Sequence, residues 1–350
     1  MITVNLDMHQ TNQLRKHIFV FLLSFSVLIG SSYNTYLSFE RFQNPDSETY
    51  MNIARLNFQD QSLVRKYRII VPLLASATAW PIEKVYYKVF TANRDNHDWP
   101  LLTGFFLVNT LLMSLAAVFI FAIMQQQNLG ATACGVGLAA FLAGGRWASF
   151  LTGHPVTDSL TILCIAMVVY GLIRPNYILL CIGIVFGFLS KESTALFFPM
   201  IILFMARNKL AAIACMLFAL LLYFAIKYII DQQSGTGVSE SLQRDLEHLS
   251  YVTHSLSKLF SLKGIGDLFS VYGFFTLPLL TGIFYKSFRK GLWQYFDKLL
   301  LVFCLTIFVH MILSAELARM LYLGSAMFIP FIAKSFDVHP AFNKFNLKHG

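Results

Sequence analysis

Charge is what this sequence has least of. Asp, Glu, Lys and Arg supply 13% of its 350 residues, against 56% hydrophobic side chains. A soluble domain usually carries about 25% charged residues. Together with a mean hydropathy of +0.60, this excludes an ordinary soluble enzyme and makes an all-α, polytopic transmembrane helix bundle the expected class. Acid is scarcer than base, 18 residues against 27, giving a formal net charge of +9. With no nucleic-acid-binding motif, that excess suits anionic lipid headgroups or phosphates. The five cysteines (Cys134, Cys164, Cys181, Cys215 and Cys304) all lie inside apolar segments. They lack metal-ligand spacing, cannot be paired from the sequence, and read as small packing residues. Neither an internal repeat nor a separate soluble domain is visible, so residues 1–350 are expected to form one membrane domain. No small-residue cleavage site follows the first apolar run, His17 to Leu37, which comes after Arg15-Lys16. A signal anchor with a cytoplasmic N-terminus is expected there.

What is present is a series of apolar segments, at about 17–38, 99–124, 131–151, 158–173, 176–190, 193–206, 209–230, 267–286, 297–314 and 317–335. A shorter apolar patch, Ile69 to Trp80, follows Arg65-Lys66-Tyr67-Arg68 and is broken by Pro72 and Pro81. If that patch does not span, then Arg15-Lys16, Arg174, Arg207 with Lys209, Lys286 with Arg289 and Lys290, and the Lys-bearing C-terminus all face the cytoplasm, as the positive-inside rule expects. The preferred count is therefore about ten spanning helices with both termini inside. Residues 39–98 then form a long first external loop with interfacial helices, and 231–266 a second. The second holds Gly235, Gly237, His248 and His254, with Asp245 and Glu247 in an amphipathic stretch.

On this count four polar clusters fall on the outer side: Asp46/Glu48, His154/Asp158, Lys191/Glu192 and Glu316/Arg319. Each has a plain structural explanation. Asp46, in Asn44-Pro45-Asp46-Ser47-Glu48-Thr49-Tyr50, suits a solvated loop or a helix N-cap. It also suits a carboxylate at the membrane surface that acts as general base or helps bind a metal, with Glu48 the weaker candidate. Arg68 can snorkel to the interface or grip a phosphate with its forked guanidinium. Asp158 can N-cap a helix, or join His154 in holding a metal. Arg146 stands within an apolar span, where a charge is costly and functional by default. Lys191 and Glu192 suit a capped turn, or a site where the lysine neutralises a phosphate leaving group. Glu316 and Arg319, at i and i+3, suit a helix-surface pair, or an arginine aimed at phosphate and oriented by its glutamate. Lys227 and His310 read as snorkelling or packing residues, and the 34 phenylalanines as lipid-facing or packing surface.

This layout resembles the GT-C superfamily of membrane glycosyltransferases. Asp46 matches the family's acidic position after the first helix, and Asp158 the one after the third. The segments Tyr67-Arg68-Ile69-Ile70-Val71-Pro72-Leu73-Leu74, Lys191-Glu192-Ser193-Thr194-Ala195-Leu196 with Pro199, and Glu316-Leu317-Ala318-Arg319 are similar to short motifs of bacterial members. The paired carboxylates of the family's metal-binding type are not adjacent here, and His154 stands where a second acid would. The resemblance implies transfer of a sugar from a polyprenyl-phosphate-linked donor to a glycan, lipid or protein acceptor at the outer face of a bacterial inner membrane. It implies inversion at the anomeric carbon. It casts Asp46 as base, with Glu48 beside it, and Arg68, Arg146, Lys191 and Arg319 as donor-phosphate ligands. His154, Asp158, Glu192 and Glu316 would position the acceptor or a divalent cation, Mg2+ or Mn2+, and no other cofactor is implied.

Three other readings stand beside this one. A polysaccharide polymerase or ligase would centre on residues 231–266, where Arg244 would outrank Asp46. A transporter or lipid flippase would place ionisable groups near the bilayer midplane and show internal repeats. A purely structural membrane subunit would be indifferent to changes at Asp46.

Overall fold

The computed structural model describes residues 2–39, 45–59, 61–62, 65–89, 98–205, 209–234, 251–314 and 316–342. Among them no strand occurs. The chain runs through α1 (Ile2–Leu37), α2 (Pro45–Ala54), α3 (Ile70–Val89), α4 (Trp99–Gln126), α5 (Ala131–Ala143), α6 (Arg146–Gly153), α7 (Asp158–Ile173) and α8 (Tyr177–Ser190). A 3-10 turn, Glu192–Phe197, leads into α9 (Phe198–Phe204) and α10 (Lys209–Ser234). Then come α11 (Tyr251–Leu259), α12 (Leu262–Tyr272), α13 (Leu277–Gly282), α14 (Lys286–Tyr295), α15 (Lys298–Ser314), α16 (Leu317–Leu323) and α17 (Ser325–Val338).

Helix α4 is the hub. Its 28 residues extend about 42 Å at 1.5 Å each, and it packs against α1, α3, α5, α6, α7 and α17. Behind it lies α7, buried at every position from Asp158 to Val169. Large apolar side chains at the periphery point outward instead: Phe19 and Leu22 on α1, Phe218 and Leu221 on α10, Leu305 and Phe308 on α15. Such surfaces suit lipid, not water. Lipid tails are as apolar as leucine, so close packing of small residues must hold these helices together. The contact between α3 and α4 is of that kind: a Cβ at Gly104 would overlap the backbone carbonyl of Ala75.

Every predicted apolar segment is helical, but ten spans are more than length and composition support. Four helical stretches are long and apolar enough to cross a membrane: Thr11–Leu37, Trp99–Gln126, Lys209–Ser234 and Leu262–Gly282. The number rises to seven if each of three bent pairs is one span: α5 with α6 (55°), α14 with α15 (86°) and α16 with α17 (80°). The stretches Asp158–Ile173, Tyr177–Ser190 and Glu192–Phe204 are shorter than a straight crossing of ~30 Å requires. From Ile70 on, the Ile69–Trp80 patch is part of the longer helix α3, which carries Glu83, Lys84 and Lys88 and is not among the candidate spans.

One sequence expectation needs correction. Cys181 on α8 and Cys215 on α10 are joined as a disulfide, with Cα atoms 5.8 Å apart, and so do more than fill space. No residue pattern announced the pair, because only the packing of α8 on α10 brings the two cysteines together. Of the second predicted loop, His254 lies exposed on α11. Gly235, Gly237, Arg244, Asp245, Glu247 and His248 lie outside the described residues, as do Arg207, Lys344 and Lys348.

The bundle has two unlike ends. At one, Arg55 pairs with Asp98, which precedes α4, and Tyr36 at the end of α1 bonds Thr103 at 2.7 Å. At the other, Tyr295 donates to Gln127, just after α4, and Phe288 of α14 meets His339 at the end of α17. A single cysteine at exposed Asn57 should therefore react with an impermeant thiol reagent from one side of sealed vesicles, and cysteines at Asn128 and Ser287 from the other. The five native cysteines would first be replaced. Labelling of all three from the same side would contradict this arrangement.

Candidate active site

Most of the polar clusters meet at the Asp98 end of the bundle. Pro45 opens α2 and places Asp46 in its first turn, where a negative charge is favoured by the helix dipole. Asp158 is the first residue of α7, not its cap. The turn that presents it is fastened from beneath by Asn109 of α4. The Asn109 amide donates to the carbonyls of His154 (3.0 Å) and Val156 (3.1 Å) and accepts from the Ser159 hydroxyl.

Arg319, on the seven-residue helix α16, ties these acids together. Its guanidinium donates to Asp46 at 3.1 Å, to Glu316 at 2.8 Å and to Asp158. Asp46 also pairs with Arg65 at 2.5 Å, and Asp158 with Lys191 at 3.1 Å. The result is a continuous chain of alternating charge: Arg65, Asp46, Arg319, Asp158, Lys191. Beside it, Arg68 grips Glu192 with two hydrogen bonds, at 3.2 and 2.5 Å, and donates to the Tyr50 hydroxyl at 3.1 Å. Buried charges persist only when paired in this way. Burial pulls the Lys191 ammonium below its ordinary range, and Asp158 opposes that pull. Burial would raise the Glu192 carboxyl, but the charge and hydrogen bonds of Arg68, with a backbone hydrogen bond and the Lys191 charge, together hold the group below its usual value. Burial also raises the Tyr50 phenol above its ordinary value.

A cavity of about 360 Å³ opens beside this chain. Arg68, Lys191, Glu192, Ser193, His310 and Ser314 line it together with Leu196, Leu313 and Met320, and the Met320 sulfur lies 3.8 Å from the Lys191 ammonium. Arg68, held by Glu192, and Lys191, held by Asp158, place cationic hydrogen-bond donors beside hydrocarbon there, a lining that suits an anion with a hydrocarbon attachment.

Not every predicted residue joins. Glu48 is half-buried in α2 and takes no part in the ion-pair chain. Arg146 is exposed at the break between α5 and α6, against the Trp147 ring at 5.2 Å. His154 stacks on Phe150, with Phe39 at its edge, and its Nδ1 lies 3.1 Å from the Phe150 carbonyl oxygen. Burial lowers the His154 pKa below the usual histidine value, so the ring stays neutral at neutral pH and adds no charge. Among the described residues no group of three His, Cys, Asp or Glu side chains is placed to hold a metal ion. Asp46 and Asp158 instead share one guanidinium. These residues do not fit a resident divalent cation.

The sequence reading passed over Arg65, Tyr50 and Asn109. Asn109 had a usable signal, a lone amide within an apolar span. Arg65 had only its place in a basic run. A second buried pair was also missed: Lys66 meets Asp231 of α10 at 2.6 Å, and Tyr67 donates to the same aspartate at 2.6 Å. These bonds fasten to α10 the short segment that carries both Arg65 and Arg68. No protein-family model, curated protein or solved structure matches this chain.

Removing Asp158 would leave the buried Lys191 without its acid and take from Arg319 one of its three. Asp158→Asn should therefore cost about 3–5 kcal/mol of stability. Glu316→Gln should cost under about 1 kcal/mol, because the Glu316 side chain is 52% exposed. Unfolding in mixed detergent micelles checks this, and equal losses would contradict the geometry.

Proposed function

We propose that this protein is a membrane glycosyltransferase of the GT-C kind, with about ten spans and both termini in the cytoplasm of a bacterial cell. It transfers a sugar from a polyprenyl-phosphate donor to a glycan, lipid or protein acceptor at the outer face of the inner membrane. One observation supports this reading above the rest: Asp46, Asp158, Lys191, Glu192 and Arg319 are drawn from distant parts of the sequence to one end of the bundle, beside a cavity whose lining mixes Arg68, Lys191 and Glu192 with Leu196, Leu313 and Met320. Ionisable groups gathered at one end suit chemistry at a membrane surface. They suit transport poorly, since that places such groups near the midplane.

In the proposed reaction the acceptor hydroxyl gives its proton to the Asp46 carboxylate. The acceptor oxygen attacks the anomeric carbon, and the bond from that carbon to the phosphate oxygen breaks. The lipid phosphate leaves with the bonding electrons, and Arg68 and Lys191 stabilise its charge. Arg319 holds Asp46 and Asp158 at a fixed separation, so the acceptor meets a preorganised edge. Asp46 and its neighbours do this without a metal ion, since both aspartates are already engaged by arginine.

The test is donor turnover, followed as release of polyprenyl phosphate from a polyprenyl-phosphate sugar in membranes carrying the protein. Asp46→Asn should lower the rate by at least about 100-fold while the purified variant is still stabilised by the donor. Lys191→Gln should lose that stabilisation. A folded Asp46→Asn protein working at the normal rate, or a wild-type protein that the donor does not stabilise, would contradict the proposal.

A further inference from the structure

The opposite end of the bundle carries a feature that sugar transfer does not use. Helix α14 lies at 86° to α15, so it runs across the bundle end while α15 runs along it. One side of α14 is packed: Phe288 is fully buried against Gly282 and the His339 ring, and Gly291 meets Val338. The other side exposes Lys286, Arg289 and Lys290, none of them ion-paired with a described carboxylate. The Arg289 guanidinium is turned back onto the Ile283 carbonyl at 2.7 Å, which brings its charge over the turn between α13 and α14. Flanking that turn and helix, Phe284 is 84% exposed and Trp293 78% exposed. Cations beside exposed aromatic rings are the composition of a helix lying at the lipid headgroup level.

A groove of about 530 Å³ runs along α13 next to this helix. Phe274, Phe275, Pro278, Phe336 and Phe342 line it. Its one polar point is the contact of Thr281 with His339 at 3.3 Å. Tyr285, one residue before α14, packs on the same histidine, so the groove and the cationic helix are continuous. The groove offers hydrocarbon a lining of rings, and the helix offers an anion three positive charges.

We infer that α14 and the α13 groove form a binding site for an anionic phospholipid, on the face of the bundle opposite the charge chain. Lys286, Arg289 and Lys290 hold the headgroup phosphate, and one acyl chain lies along the phenylalanines. The arrangement fixes the level at which the bundle sits in an anionic leaflet.

The test uses the full-length protein purified in detergent and titrated with phosphatidylglycerol, phosphatidylcholine or inorganic phosphate, with bound lipid read by native mass spectrometry and stability by thermal shift. Phosphatidylglycerol should bind at least about tenfold more tightly than phosphatidylcholine, and inorganic phosphate alone should give no shift. The triple variant K286Q/R289Q/K290Q changes only exposed positions and should lose the preference between the two lipids. Ala341→Trp, which fills the rim of the groove, should weaken both. Equal binding of the two lipids by the wild-type protein, a preference that survives the triple substitution, or an equal shift from inorganic phosphate would each overturn the inference.

Discussion

The arrangement depends on one guanidinium. Arg319 lies almost fully buried in an apolar bundle, where an unpaired charge would be prohibitive, and it meets Asp46, Asp158 and Glu316 at once. Each acid is presented by a different piece of backbone: the first turn of α2, the first residue of α7 and the residue just before α16. None can move far without leaving another charge unpaired. The ion pairs thus set the relative positions of α2, α7 and α16 more strictly than apolar packing in lipid could, because such packing has no hydrophobic driving force behind it.

Around this link the polar structure is arranged in layers. Asn109 fixes the turn that carries Asp158, and Asp231 fixes the segment that carries Arg65 and Arg68. Lys191 and Arg68 line a cavity together with Leu196, Leu313 and Met320. A lipid-linked phosphate is the ligand class we propose for that mixed lining. The bundle end opposite is built differently, with three exposed cations on α14 that have no acidic partner among the described residues and aromatic residues at the rim. The two ends of one bundle thus offer anions two environments, a paired and buried one and an open one.

Much of this was legible in the sequence, and the limits have physical causes. Apolar length placed α4 and α7 almost to the residue, since predicted segments 99–124 and 158–173 compare with Trp99–Gln126 and Asp158–Ile173. The break at Gly144-Gly145 and the sharp turns at Gly324 and before Lys298 were not legible, because hydropathy is blind to direction. A bent pair and a straight span have the same composition, so apolar segments alone do not fix the number of crossings. At the site, charge within an apolar context singled out Asp46, Arg68, Asp158, Lys191, Glu192, Glu316 and Arg319, which the fold brings together. The same signal also selected Arg146 and His154, which pack on aromatic rings instead. Cost of burial flags a residue without naming its partner. Arg65, Lys66 and Asp231 were missed for the converse reason: they sit in polar stretches where another charge carries no signal, and only the tertiary contact gives them meaning.

The most direct measurement is a double-mutant cycle between Asp158 and Arg319. Stability of the wild type, Asp158→Asn, Arg319→Met and the double variant would be compared by unfolding in mixed micelles. If Arg319 joins the acids as described, the double variant will be more stable than the sum of the single losses allows, with a coupling of about 1–3 kcal/mol. Losses that simply add would mean that the two residues do not meet, and the charge chain, with the site built on it, would be wrong.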